Sequence, residues 1–274
     1  MTRFILLAAI RSGTNFFRSA LNSHPDVHMF GEALFDDWAF RPDREENFYV
    51  QWHKAVMRDP AQITFRNMNA FARRFIDATF DSMARHSIVG MDIKYDFWDR
   101  LAFVSGYFST HPPKVVHLIR TNTLRAHISA FLLACRNRGV DTGTLPMREY
   151  DGFVRTGETT LTVTLTKRLL GTLVQLEKRK QRFRAIVSDF EHVEITYEDM
   201  VGHVRGSAHT FSPQTQAKLF PFLGIDPAKA PVTTDYQKVS PDALSDIIDN
   251  YDLLAPELTR LGLSRYADER ATAE

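Results

Sequence analysis

The stretch RFILLAAIRSGTNFFRSALNSHP, residues 3–25, sends an apolar run straight into Arg11-Ser12-Gly13-Thr14 and then into a helical pattern. Phe4 to Ile10 is continuous and apolar, bounded by charge and glycine, which is the form of a strand covered on both faces in a parallel sheet. Phe17, Ala20 and Leu21 then recur at helical spacing and face that sheet. His24-Pro25 stops the helix, because a residue before proline avoids the α region. A strand that hands over to a helix in this way builds an anion site. The first backbone N–H groups of the helix have no partner within it, and its dipole places about half a positive charge there. Gly13 permits close backbone approach, Ser12 and Thr14 offer hydroxyl donors, and Arg11 supplies a permanent cation with a fork of donors. Such a turn fits a phosphate or a sulfated phosphate, although an ordinary strand-to-helix turn with an exposed arginine carries the same residue types. It is not a Walker A loop, which needs G-x-x-x-x-G-K-[ST]; here Thr14 follows Gly13 directly and there is no lysine.

Working outward, short apolar runs return at Ile88 to Ile93, Val115 to Ile119 and His192 to Thr196, separated by helical patterns. That alternation predicts a parallel sheet with crossover helices. Between Glu45 and Arg85 the pattern is helical, with Phe65, Met68, Phe71 or Ala72, and Phe75 on one side. Thr166 is placed to cap a further long helix running through Leu169, Leu170, Leu173 and Leu176 toward Phe190, with Lys178-Arg179-Lys180 on a solvated face. Arg136 to Gly157, rich in Gly, Asp and Arg, reads as an irregular excursion, an acceptor-side loop. No internal repeat is visible.

The segment KVVHLIRTNTLRAHISAFLLACRNR, residues 114–138, repeats the strand–turn–helix design with Arg120 at the strand end and Thr121, Asn122 and Thr123 as capping candidates. Leu124, Ile128, Phe131, Leu132 and Cys135 form its apolar stripe. At 100° per residue, Arg125, Ser129 and Arg136 fall within about 40° of one another on an adjacent face, which could grip a phosphate or simply be a solvated polar edge. Two such turns on the carboxyl edge of one sheet suit a ligand with two separated phosphate-like ends.

These residues resemble the sulfotransferase superfamily, whose donor is 3′-phosphoadenosine 5′-phosphosulfate (PAPS) and whose product is 3′-phosphoadenosine 5′-phosphate (PAP). Arg11-Ser12-Gly13-Thr14 resembles its 5′-phosphosulfate loop, and Arg120 with Ser129 its 3′-phosphate pair. LNSHPDVHMFGEALF (residues 21–35) is most similar to the bacterial carbohydrate sulfotransferases of the nodulation-factor and trehalose type. ITYEDM, LFPFLGI and KVSPDALSDIIDNYDLLAPEL resemble later landmarks, so the likeness touches the chain in order from Phe4 to about Leu261. The resemblance implies donor contacts from Arg11, Ser12, Gly13, Thr14, Asn15 and Phe16 at the 5′ end. It implies Arg120 and Ser129 at the 3′-phosphate, Tyr197 near the adenine, and Lys238 toward the phosphate end. Glu32, in Phe30-Gly31-Glu32, sits where the bacterial enzymes place a catalytic carboxylate. The cytosolic branch takes its base from a histidine after a lysine on the next strand; here the stretch reads GMDIKYD, with Lys94 and no histidine. That departure favours Glu32 as base and leaves Lys94 as a second catalytic cation beside Arg11, or as a strand-end lysine in solvent.

Composition bounds the rest. With 274 residues, 44% of them hydrophobic, the chain can bury a sizeable core. The expected fold class is α/β, a P-loop-like parallel sheet flanked by helices in a single sulfotransferase-like domain over residues 1–274. Thirty-four Lys and Arg against 33 Asp and Glu give a net charge of +1, which argues against wholesale polyanion binding and so against a nucleic-acid partner. Cys135 is the one cysteine, which excludes an intramolecular disulfide framework and a cysteine-based zinc site. No H-E-x-x-H spacing occurs, and His24 and His28, split by Pro25, read as turn residues, so no metal is expected. A G-x-S-x-G nucleophile elbow is missing as well. Phe4 to Ile10 is too short to span a bilayer and lacks a signal-peptide cleavage pattern, so the expectation is a soluble, cytoplasmic protein whose mature chain begins at its first residue. Sulfuryl transfer to a hydroxyl acceptor, a carbohydrate or glycolipid, is the function expected. A P-loop-like nucleotide-dependent kinase and a non-catalytic nucleotide-binding protein are the alternatives. Phe35, Trp38, Phe40, Trp52, Tyr95 and Trp98 could stack on sugar faces or serve as core and lid packing.

Overall fold

The computed structural model of the protein describes residues 1–34, 47–201, 210–236 and 243–267. Among them are the strands β1 (Thr2–Ala8), β2 (Val27–Phe30), β3 (Ile88–Lys94), β4 (Lys114–Ile119), β5 (Phe153–Arg155), β6 (Leu161–Val163) and β7 (His192–Thr196). The helices are α1 (Thr14–Asn22), α2 (Phe48–Arg58), α3 (Phe65–Ser82), α4 (Tyr95–Arg100), α5 (Ala102–Thr110), α6 (Thr123–Asn137), α7 (Lys167–Val187), α8 (Tyr197–Val201), α9 (Pro213–Leu223) and α10 (Tyr251–Arg260). The fold is α/β. Its backbone contacts divide into two compact units, residues 1–119 with 183–236 and residues 120–182 with 237–274.

In the first unit five strands form a wholly parallel sheet in the order β2-β3-β1-β4-β7. β1 is central. From it the chain goes by α1 to the β2 edge, whereas from β4 it goes on to the β7 edge. The carboxyl ends of the neighbouring strands β1 and β4 therefore flank the point where the winding reverses, the usual ligand crevice of an open α/β sheet. Alternation along β1 sends Ile5 and Leu7 to one core with Ile76, Phe80, Phe108 and Phe183, and Phe4, Leu6 and Ala8 to the other with Phe17, Leu21, Phe211 and Leu219. Because both faces are covered, the strand reads as an unbroken apolar run. It stops two residues earlier than expected: Ala9 and Ile10 belong to the turn, and Ile10 is exposed.

The helical pattern resolves into two helices, α2 and α3. Asp59 and Pro60 end α2 and open a 3₁₀ turn, and the Thr64 hydroxyl then caps α3 by accepting from Asn67 N. Phe65, expected on the buried stripe, is 67% exposed, whereas Met68, Phe71, Ala72 and Phe75 pack against the core as expected, together with Ile76 and Phe80. β2 went unread because four residues with half-buried alternation give little pattern; His28 lies in that strand, not in a turn.

A polar chain, buried at its Tyr95 and His117 end, runs from the residue after β3 across β4 to β7. The Arg184 guanidinium grips Glu194 with two bonds of 2.8 Å, so the carboxylate, which burial alone would raise, is held below its ordinary range. An ionised carboxylate only accepts, so His117 donates Nδ1–H to it at 3.2 Å, and His117 Nε2 in turn accepts the Tyr95 hydroxyl at 2.5 Å. Burial pushes the His117 imidazole down to about 4, against the upward pull of Glu194. Tyr95 stacks on Phe183 with ring centroids 3.9 Å apart.

The second unit has its own core of Leu124, Ile128, Phe131 and Cys135 from α6 with Phe153, Leu161, Leu173, Leu254 and Tyr266. The excursion is irregular over residues 138–152 apart from one 3₁₀ turn, as expected, and only its end forms β5, which pairs antiparallel with β6 beyond it. Three-residue strands are too short to show a period. The Arg155 side chain is buried against the carbonyls of Val140, Gly157 and Glu158, holding the loop rather than a ligand. The Thr166 hydroxyl caps α7 by accepting from Leu169 N at 3.0 Å, as expected.

Candidate functional site

At the end of β1 the turn is shaped by two residues in the left-handed region, Arg11 at φ +64° and Gly13 at φ +86°. A Cβ on Gly13 would stand 2.4 Å from the Tyr197 ring, so glycine is required for conformation and for space at once. This contact brings two expected site residues, Gly13 and Tyr197, together. Gly13 has no side chain with which to cap α1, and the first intrahelical bond runs from Phe17 N to Gly13 O at 3.1 Å. The amides of Thr14, Asn15 and Phe16 therefore precede the helix ladder and point outward from a positive helix end. Arg11 and Asn15 are exposed beside them.

The side chains divide differently from expectation. Phe16 is in the core, edge-on to Phe211 at 6.0 Å, so its backbone alone faces the turn. Ser12 is buried, and the Thr14 hydroxyl is engaged inward. Lys94 is what engages it. At the carboxyl end of β3, Lys94 Nζ donates to Thr14 Oγ1 at 2.7 Å, to the Asp92 carboxylate at 2.7 and 3.0 Å, and lies 3.0 Å from Glu32 Oε1. Lys94 is 2% exposed, which overturns the strand-end lysine in solvent. The ammonium is buried because three partners replace its water. Glu32 is 34% exposed and forms the open side of the cluster.

Asp92 was not anticipated. Its signal was present in GMDIKYD: an acidic residue inside an otherwise apolar strand, two positions before a lysine and so on the same face. Burial raises its carboxyl above the usual range; Lys94 and a hydrogen bond from Thr14 oppose the rise, and the charge of Glu32 adds to it.

In the second unit Arg120, the residue after β4, is buried, and Ser129 lies two turns into α6, half-buried. Asn122 is the cap among the three candidates: its Oδ1 accepts from Arg125 N at 2.9 Å while its amide donates to Tyr266 O at 3.1 Å. Lys180, expected in solvent, instead clamps this turn. Its ammonium reaches the carbonyls of Arg120 and Thr121 at 3.1 and 3.3 Å, Thr123 Oγ1 at 2.6 Å and Glu177 at 2.9 Å. Burial works to raise the Glu177 carboxyl, but bonds from Thr123, Lys180 and Tyr266 bring it below its ordinary value. Lys238, Phe35, Trp38 and Phe40 lie outside the described residues, while Tyr95 and Trp98 are core side chains and Trp52 packs against Phe71. Among the described residues no group of three or more His, Cys, Asp and Glu is arranged to hold a metal ion, and no helix is long and apolar enough to cross a membrane.

No family model matches the chain, and no curated protein matches it either. Among solved structures it is similar to a sulfotransferase from Alicyclobacillus acidocaldarius, at 15% identity over 99% of this chain and 98% of that chain, with a TM-score of 0.44.

Proposed function

We propose that the protein transfers a sulfuryl group from PAPS to the hydroxyl of an acceptor, a carbohydrate or glycolipid, in the cytoplasm. The observation that carries this reading is the meeting of three elements at one helix N-terminus: the uncapped amides after Gly13, the Lys94 ammonium on Thr14, and the half-open Glu32 carboxylate 3.0 Å from that ammonium. An anion cradle explains the first two. A carboxylate beside an anion cradle is costly for binding alone, and makes sense where a proton must be taken from a neutral nucleophile.

In this reading Arg11 and the amides of Thr14, Asn15 and Phe16 hold the 5′-phosphosulfate, with Ser12 and Gly13 shaping the turn. Tyr197, lying against Gly13, borders the adenine; Arg120 and Ser129 hold the 3′-phosphate, and Lys238 adds to the phosphate end. When bound, the donor supplies an SO₃ unit to the acceptor oxygen in line with a phosphate leaving group. The acceptor O–H bond breaks as the proton passes to Glu32, the new S–O bond forms on the acceptor, and the electron pair of the old S–O bond stays on the phosphate. Arg11 and Lys94 oppose the charge that grows there, which is stabilisation by fixed cations and dipoles.

Thermal-shift titration with PAP against ATP and Mg²⁺ tests the nucleotide, because a ligand that binds the native state alone raises its apparent stability. A rise with PAP is expected; a rise with ATP and Mg²⁺ and none with PAP replaces sulfuryl by phosphoryl transfer. Labelled donor with a panel of hydroxylated acceptors then tests the transfer, and PAP binding without transfer to any acceptor leaves a binding protein. Arg120→Ala is expected to weaken PAP binding by about 10- to 150-fold, the loss of a charge-assisted contact worth about 1.5–3 kcal/mol. Calorimetric titration showing unchanged affinity removes Arg120 from the site.

A further inference from the structure

We infer that Asp92 is a positioning residue for the proton-accepting step: by sharing the Lys94 ammonium, it keeps that cation from fully neutralising Glu32. The inference rests on Glu32 as the base under the proposed function.

Lys94 has three N–H bonds and three partner groups, Thr14, Asp92 and Glu32. Asp92 cannot withdraw from the set. It belongs to β3, which is paired on both sides, opposite Leu6 of β1, and it is 3% exposed on the same face as Lys94. The nearer contact of the ammonium is with Asp92, at 2.7 Å against 3.0 Å for Glu32. Among the described residues the charged groups that bear on Asp92 are Lys94 and Glu32, with Thr14 as a further polar contact.

Counting charge shows what this sharing does. With both carboxylates ionised, two negative charges face one positive charge among the described residues of the cluster, which is then one proton short of neutral. That missing proton is the one an acceptor hydroxyl gives up. Once Glu32 has taken it, Lys94 and Asp92 remain as a balanced pair. Without Asp92 the order reverses: Glu32 and Lys94 are balanced before the reaction, and protonation leaves a lone buried cation. Asp92 therefore makes Glu32 the stronger acceptor without touching the substrate.

Asp92→Asn keeps the shape and removes the charge. It is expected to move the acid limb of the kcat profile down by about one to three pH units, the usual effect of leaving a carboxylate with an undivided opposite charge. It should also lower kcat at the plateau by about tenfold, as a weaker base does. PAP affinity and melting temperature serve as controls. Asp92→Asn with Lys94→Met removes both charges, and the limb should return upward. A purely structural role lowers activity equally at every pH and leaves the limb where it was; that result, or a double variant whose limb stays with the single variant, overturns the inference. Carbon-13 carboxyl titration of the unmodified chain gives a readout that needs no turnover and no variant. Asp92 and Glu32 should each show an inflection at the other's midpoint, and independent single transitions overturn the sharing of Lys94. A chain that binds no PAP and transfers no sulfate refutes the proposed function instead, while coupled carboxyl titration would still stand as evidence that the ammonium is shared.

Discussion

Two consecutive residues, Lys94 and Tyr95, start two polar networks in one sheet, and the networks differ in kind. Tyr95, His117, Glu194 and Arg184 form a closed chain: each donor meets an acceptor, the imidazole is neutral, and Arg184 balances Glu194. Lys94, Asp92, Glu32 and Thr14 form an open one, with a surplus carboxylate and one member, Glu32, 34% exposed. A satisfied network of zero net charge fixes position, because any rearrangement strands a buried group. A network one proton short of neutral is poised to accept one. The side-chain types are similar in the two sets, and under the proposed function the charge count separates scaffold from chemistry.

The sharpest break between them comes from Glu32→Gln. Turnover is expected to fall by about 10²–10⁴-fold, the usual contribution of a general base, with PAP affinity nearly unchanged. Steady-state kinetics with undiminished kcat would erase the distinction drawn above.

The closed network should instead report in stability. An unfolded imidazole takes its proton at an ordinary 6.5 and the folded His117 only near 4, so the unfolded state binds more protons between those values. The contribution is therefore complete above pH 6.5 and is lost as the pH falls toward 4, by up to about 3 kcal/mol. Denaturant unfolding across that window, for the natural chain and for His117→Phe, checks it. The variant should show a flatter slope with turnover unchanged, and equal slopes would remove His117 from the account.

The smallest expected effect lies at the turn that adjoins the open network. Gly13→Ala places a methyl group 2.4 Å from Tyr197 in a left-handed conformation, at a cost of about 1–2 kcal/mol. A drop in PAP affinity larger than the drop in melting stability is expected, since under the proposed function the displaced ring borders the nucleotide. Loss of stability alone would place Tyr197 with the scaffold.

Much of this architecture could be read directly from the residues. Largely apolar runs mark β1, β3 and β4 because strands buried on both faces carry few polar residues, and the turn after β1 announces itself by Arg11, Gly13 and the missing lysine. Thr166 and Asn122 act through their own backbone neighbours, so their capping is local and visible. Long-range partnerships were not. That Lys94 is buried depends on Asp92, Glu32 and Thr14 converging from three segments, and Lys180 leaves solvent because the turn at Arg120 presents carbonyls to it. Runs of charge look solvated until their partners arrive by folding. Short strands such as β2, β5 and β6 carry too few residues to show a period.

The central place of β1 has a consequence for how the chain is made. Thr2 pairs with Ile88 and Phe4 with Lys114, so β1 is made well before either of the strands that flank it. At roughly 5–20 residues per second, its apolar run waits on the order of ten seconds before β4 exists to cover its second edge. Through that interval the nascent segment keeps at least one bare edge, and its yield in a cell will depend on what shields it until synthesis has passed residue 119.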